Sequence, residues 1–277
     1  MLTINDHRRD SAGLTYVYPV VSRRAGGVSI GINLNINNAC NWACVYCQVP
    51  ELTRGGPPPI ALDLLESELR KFLLAVLTGD YLEREVPPEM RRLVDVAFSG
   101  NGEPTSAAGF PEAVSRVENV LREFSLIKSV PIRLITNGSL MHRRAVREGV
   151  GRIGALNGEV WFKVDRATEA GVACVNQVSF SLERTRAALL QCADLADTWV
   201  QTCWFALDGA VASESEQRAY LELLDSVKDK IKGVHLYGLA RPSLQPEALR
   251  LSALDPEVFQ QFADRLSALG VRVMANP

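Results

Sequence analysis

Asn38-Ala39-Cys40-Asn41-Trp42-Ala43-Cys44-Val45-Tyr46-Cys47-Gln48 places three cysteines in a C-x-x-x-C-x-x-C spacing. Thiolates this close along a chain can converge on one soft metal centre. A [4Fe-4S] cluster usually takes four Cys ligands, so a triplet with no fourth partner leaves one iron open to a small molecule. A structural zinc site normally takes four protein ligands, often as two spaced pairs. Neither a second C-x-x-C nor an H-x-x-x-H occurs elsewhere in the chain. Zinc and three unrelated core cysteines are the alternatives to a cluster.

Outward from the triplet, short β-branched runs alternate with segments of helical period, the pattern of repeated βα units around a parallel sheet. Before the cysteines, Tyr16 to Ser22 and Val28 to Asn33 form two extended runs joined by Arg23-Arg24-Ala25-Gly26-Gly27, a predicted hairpin whose second strand feeds the cysteine loop. After them, strands are expected over Leu93 to Phe98, Ile132 to Thr136, Val160 to Val164, Val200 to Phe205 and Val234 to Leu239, with Val271 to Met274 as a terminal extra. Gly55-Gly56-Pro57-Pro58-Pro59 cannot be helix and carries the chain to the first one. There Leu65, Leu69, Phe72, Leu73 and Val76 share one face behind Asp63 as cap, with Gly79 ending the turn. Ser213 with Glu216 reads as a capping box ahead of Tyr220, Leu223, Leu224 and Val227. Asp255-Pro256 opens a last helix that stops at Gly270.

The chemistry-bearing motifs fall at the carboxyl ends of these strands, where parallel α/β folds place their ligands. Phe98-Ser99-Gly100-Asn101-Gly102-Glu103-Pro104-Thr105 ends one strand. Its glycines let backbone approach a ligand, and Glu103 can accept from an ammonium group. Thr136-Asn137-Gly138 ends the next, with a plain Asn-Gly turn as the alternative. Lys163 and Asp165 flank Val164 and so point to one side; a surface ion pair is the other reading. Gln201 and Cys203 share a face, as do His235 and Tyr237; Gln201 reads as a buried amide that satisfies backbone, with substrate contact as the alternative, and His235 as a satisfied core residue. Arg143, Arg144, Arg147 and Arg152 form a basic cluster, read as a solvated helix face or a phosphate contact. Cys174, Cys192 and Cys203 resemble no ligand set and read as small buried hydrophobes.

The triplet and the Phe98 to Thr105 run together resemble the radical S-adenosylmethionine (radical SAM) enzymes, which carry a Gly-Gly-Glu-Pro loop after the second strand. The resemblance implies an α/β fold, a partial (β/α)6 TIM-like barrel. It also implies a [4Fe-4S] cluster on Cys40, Cys44 and Cys47, and S-adenosylmethionine (SAM) on the open iron. Gly100, Asn101, Gly102 and Glu103 would line the methionine end of SAM. Tyr46, Leu239 and Ala240 would border the adenine, Lys163 and Asp165 would reach its ribose or carboxylate, and Thr136 and Asn137 match a Thr-Asn-Gly of many relatives. The implied reaction is reductive cleavage of SAM to a 5′-deoxyadenosyl radical that abstracts hydrogen from a substrate, RNA or a small metabolite, with flavodoxin or ferredoxin as electron donor.

Tyr18-Pro19-Val20-Val21-Ser22-Arg23-Arg24, Cys-Val-Tyr-Cys-Gln and Leu239-Ala240-Arg241-Pro242 are similar to the wyosine-type (tRNA-imidazoguanosine synthase-like) branch. Those tRNA enzymes carry further cysteines upstream for a second cluster, whereas the first cysteine here is Cys40. The Lys163-Val164-Asp165 strand end also suits an activating enzyme that makes a glycyl radical on a partner protein. An iron-sulfur electron carrier or sensor is the reading outside catalysis, and it has no need of Gly100 to Pro104.

At 277 residues and 47% hydrophobic content the chain supports one substantial core. One domain is expected over 1–277, with a hairpin lead-in (1–27), a barrel core (28–240) and a C-terminal helix and strand (241–277). A net charge of −2 gives no general attraction to nucleic acid. No apolar run reaches the roughly 18 residues of a membrane helix. Met1 to Asp10 lacks the apolar core of a signal peptide, so a cytoplasmic protein with no membrane partner is expected, a compartment that also keeps thiols reduced.

Overall fold

The computed structural model describes residues 12–22, 26–239 and 241–277. In chain order the first strands are β1 (Val17–Ser22), β2 (Gly27–Ile32), β3 (Ala39–Cys40), β4 (Thr53–Arg54), β5 (Leu93–Phe98) and β6 (Ile132–Thr136). They are followed by β7 (Glu159–Lys163), β8 (Asp197–Cys203), β9 (Ala206–Leu207), β10 (Gly233–Tyr237), β11 (Leu251–Ser252) and β12 (Val273–Asn276). The helices are α1 (Leu62–Leu77), α2 (Tyr81–Glu85), α3 (Phe110–Glu123), α4 (Arg144–Ala155), α5 (Glu169–Val175), α6 (Leu182–Leu195), α7 (Glu214–Asp225) and α8 (Pro256–Ser267).

Eight strands form one sheet in the order β1-β2-β5-β6-β7-β8-β10-β12. β1 and β2 are the expected antiparallel hairpin, and every later pairing in this sheet is parallel. Residues of β1 (Tyr18, Val20) and of β12 (Asn276) line one shared cavity, so the sheet curls until its two edges face the same space. This is the α/β partial barrel: β2 to β10 supply six parallel strands, with β12 as the extra.

The period-two alternation of the strands separates core from cavity. On β5, Val96 and Phe98 face the helices while Asp95 and Ala97 face inward. On β8, Val200 joins the core, and Gln201 and Cys203 point into the barrel. The α1 stripe of Leu65, Leu69, Phe72, Leu73 and Val76 is buried as its spacing dictates. Trp204 stacks face to face on Phe262 of α8, with ring centroids 3.8 Å apart, and fastens that helix to the end of β8.

Several local expectations differ from the structure. The N-cap of α1 is Ala61, without a side-chain bond; Asp63 sits in the first turn, where it pairs with Arg116. Thr78 closes that helix by donating to Leu74 O. Ser213 caps α7 by accepting from the Glu216 N–H, but the Glu216 carboxylate does not reach back, so only half of the box forms. The terminal strand runs Val273–Asn276, later than expected: the turn after α8 ends at Gly270, with a positive φ of 82°, and Val271 and Arg272 lie between it and the strand. Among the described residues, no helix is long and apolar enough to cross a membrane.

Candidate functional site

The loop after β2, the Ser99 to Glu103 loop after β5, and the ends of β7, β8 and β10 open onto one cavity of about 600 Å³ at the carboxyl side of the sheet. Cys40, Cys44 and Cys47 line one wall of it. Tyr46, Gly100, Asn101, Gly102, Glu103, Asn137, Lys163 and Leu239 line it as well, so most of the residues singled out in the sequence face a common space. Thr136 and Asp165 lie behind its surface, 0% and 1% exposed. Ala240 falls outside the described residues.

The cysteine loop is stitched in place by asparagines. Asn33 Oδ1 accepts from the backbone of Asn35 and of Asn101, and Asn35 Nδ2 donates to Ala39 O at 2.9 Å. Asn101 Nδ2 donates to Asn38 Oδ1 at 2.7 Å, and Asn137 Nδ2 donates to Asn41 Oδ1 at 2.9 Å. Asn38 holds a positive φ of 55°, a conformation that asparagine tolerates better than most residues. The density of Asn33, Asn35, Asn37, Asn38 and Asn41 was the available sequence signal for this stitching.

The glycines of the second loop serve the protein first. A Cβ on Gly102 would lie 2.1 Å from Ala39 O and 2.6 Å from Asn35 Nδ2, and one on Gly100 would lie 2.3 Å from Asn33 Oδ1. The missing side chains let this loop press against the cysteine loop. Glu103 is likewise engaged from within, accepting from Thr105 N, Thr105 Oγ1, Thr136 Oγ1 and Asn137 N at 2.6 to 3.1 Å. Burial raises its pKa while these donors pull it down. Glu103 therefore ties the end of β5 to the end of β6 and faces the cavity from that anchored position.

The opposite wall carries buried charge. Lys163 Nζ donates to Tyr237 Oη at 3.1 Å and sits 4.9 Å from the Tyr46 ring centroid. Burial alone would lower the Lys163 pKa; Asp165, Tyr237, Cys44 and Cys203 together outweigh it and hold the ammonium above the usual lysine range. Asp165 accepts from Tyr46 Oη at 2.5 Å, Asn176 Nδ2 at 2.8 Å and the Cys203 N–H at 2.9 Å. All its strong bonds are internal. Asn176, which no spacing pointed to, also donates to Cys44 Sγ at 3.2 Å. A strap after β10 closes the arrangement: Ser243 Oγ donates to Val45 O at 2.7 Å, and Gln245 Nε2 donates to Cys47 O at 3.1 Å and Val49 O at 2.8 Å.

Among the described residues, no three His, Cys, Asp or Glu side chains form a group that encloses a single metal ion. Three thiols line the cavity, with Cys40 Sγ accepting from the Trp42 N–H and Cys44 Sγ from Asn176, a donor set that could hold a softer and larger centre than a single ion. Burial pushes the Cys40 thiol up to about 11 and Cys44 up to about 12, so a bound cation is needed to hold them as thiolates. Of the other cysteines, Cys192 and Cys203 are buried as expected, but Cys174 is exposed on α5. The arginine cluster is a solvated face: Arg144 pairs with Glu148, Arg152 with Glu118, and Arg147 donates to the carbonyls of Met141 and His142.

No family model matches the chain. It is 30% identical over 132 residues, 47% of its length, to GTPase Obg of Brachyspira hyodysenteriae, of which it covers 16%. It is 32% identical over 153 residues, 54% of its length, to UPF0026 protein MJ1312 of Methanocaldococcus jannaschii, of which it covers 40%. The chain thus spans less than half of either curated relative, and it holds no G-x-x-x-x-G-K-[ST] run of the kind that cradles nucleotide phosphates. Among solved structures, a radical SAM methyltransferase from Sphaerobacter thermophilus aligns over 94% of this chain and 68% of its own, with a TM-score of 0.62 and 13% identity. TYW1 with a lysine-pyruvate adduct bound aligns over 90% of this chain and 74% of its own, with a TM-score of 0.56 and 13% identity. At such identities the likeness is one of fold, and the fold is that of solved radical SAM enzymes.

Proposed function

We propose that this chain is a radical SAM enzyme. The observation that carries the reading is the meeting of two independent motifs: Cys40, Cys44 and Cys47 face the same cavity as Gly100, Asn101, Gly102 and Glu103, at the carboxyl end of a parallel sheet. When bound, a three-cysteine [4Fe-4S] cluster supplies the electron that cleaves SAM to methionine and a 5′-deoxyadenosyl radical.

The residues of the chain hold and orient. Cys40, Cys44 and Cys47 are the ligands. Asn101, Glu103 and Asn137 border the methionine end of SAM, with Glu103 fixed by its four donors so that its position does not depend on the ligand. Lys163 presents a permanent positive charge for a carboxylate or ribose oxygen, and Asp165 acts through it rather than by contact. Leu239 and Tyr46 cover the adenine. Curling of the sheet around this space keeps water from the radical. A small soluble reductant of the flavodoxin or ferredoxin type is the proposed electron donor.

Lys163 is the cavity lysine whose charge speaks against covalent use. A Schiff base needs a neutral amine, and the acidic groups around this one, Asp165 first among them, favour its charged form. The adduct named for TYW1 is accordingly not carried over to Lys163, and with Cys40 as the first cysteine the second cluster of wyosine-type enzymes is not proposed either.

Anaerobic reconstitution is expected to give about four irons per chain, and dithionite with SAM to give slow 5′-deoxyadenosine formation without substrate. Iron content unchanged in the Cys44→Ala, Cys47→Ala double variant would sink the ligand assignment. Wild-type protein with a full cluster that binds SAM yet yields neither methionine nor 5′-deoxyadenosine would instead be an electron carrier.

A further inference from the structure

We infer that Asn176 tunes the reduction potential of the cluster through a hydrogen bond to the Cys44 sulfur, with Asp165 as the residue that fixes its orientation. The inference rests on the cluster reading above.

Asn176 lies at the end of α5, 1% exposed, and its backbone carbonyl accepts from the Ala43 N–H, which brings the end of that helix against the cysteine loop. Its Nδ2 has two acceptors, Cys44 Sγ at 3.2 Å and Asp165 Oδ2 at 2.8 Å. The reversed amide would set Oδ1 against a sulfur and a carboxylate, two acceptors against a third, so the network admits one orientation. Asn176 Oδ1 is buried and has no hydrogen-bond partner among the described residues. An asparagine retained only to fill space or join backbone would satisfy that oxygen, since leaving it bare costs about 1–3 kcal/mol. What the side chain secures instead is an N–H aimed at each acceptor.

Asp165 is itself immobile. Tyr46 Oη and the Cys203 N–H hold its two oxygens, and it has no exposed edge through which water could replace them. The chain of contacts runs from Tyr46 through Asp165 and Asn176 to Cys44 without leaving the protein. Hydrogen bonds to ligand sulfurs draw electron density away and favour the reduced, more negative state of an iron-sulfur centre. Asn176 is thus a positioning residue that makes the electron easier to load.

The test is an EPR-monitored redox titration of reconstituted wild type, Asn176→Ala and Asn176→Gln, with electron–nuclear double resonance on the reduced cluster in H2O and D2O. Asn35→Ala serves as control, since it removes loop hydrogen bonds without touching a sulfur. Asn176→Ala is expected to shift the midpoint to more negative potential and to lose one exchangeable proton coupling. Asn176→Gln restores both in part, and Asn35→Ala leaves both unmoved. An unchanged potential and coupling in Asn176→Ala overturns the inference, as does an equal shift in Asn35→Ala. Should Asn176→Ala fail to hold a cluster, the wild-type couplings decide: an exchangeable proton on the cluster beyond that of the Trp42 N–H supports the bond, and none beyond it overturns it. Wild-type protein that takes up no iron at all refutes the functional reading instead.

Discussion

The two walls of the cavity are built by opposite means. On the side of β2, β5 and β6, neutral amides do the holding: Asn33, Asn35, Asn101 and Asn137 link loop to loop, and Gly100 and Gly102 let the loops touch. On the side of β7, β8 and β10, a half-buried lysine bonds Tyr237 and a buried aspartate bonds Tyr46, and that one carboxylate gathers three donors. The amide wall fixes shape through many exchangeable bonds, each of modest worth. The charged wall fixes potential through a few groups, none of which can be removed without stranding another.

The sharpest break of this contrast is Asp165→Ala. It leaves a phenol, an amide and a backbone N–H without their acceptor and takes away a negative charge that helps hold the Lys163 ammonium, and a loss of about 3–5 kcal/mol is expected from these stranded donors. Urea denaturation of the anaerobic protein measures it; a loss comparable to that of one neutral hydrogen bond would show that the wall is not held by charge. Next comes Gly102→Val, which drives a side chain into Ala39 O beside Cys40. Overpacking of this kind costs about 1–3 kcal/mol. Cluster content and SAM affinity are expected to fall together, and loss of SAM binding with a full cluster would place the glycine against the ligand instead. Asn35→Ala removes bonds to Ala39 O and Ser106 Oγ and should cost about 1 kcal/mol in the same denaturation assay, the signature of a redundant wall. Arg144→Ala is the smallest: its i,i+4 partner Glu148 is exposed, and the unfolding midpoint should stay where it is.

The contrast also marks what the sequence could reveal. The barrel was legible because β-branched runs and helical stripes alternate, and the alternation within β8 put Gln201 and Cys203 on one face, which is the cavity face. The cysteine triplet and the Gly100 to Glu103 loop, which share one cavity, stood out because their spacing is local. Boundaries were read less well. Asp63 looks like a cap by residue type, but the chain enters α1 at Ala61 after the prolines have set its direction. The functions of Gly102, Asp165 and Asn176 were not legible, because each is decided by a neighbour far away in sequence: Ala39, Tyr46 and Cys44 respectively. A glycine near a ligand and a glycine near another loop look alike until the loops meet.

That the cysteine loop takes its partners from so far along the chain has a consequence in time. Its side-chain bonds span 96 residues to Asn137, 132 to Asn176 and 198 to Ser243. Closing such long segments costs entropy that is repaid only when the intervening βα units are already stacked. The loop therefore orders late, after the strap beyond β10 has arrived, and its amides can open only when much of the barrel opens with them. Hydrogen exchange at Val45, whose N–H donates to Val175 O, would then track global unfolding rather than local fraying, which makes the cysteine loop a reporter of whether the whole fold is complete.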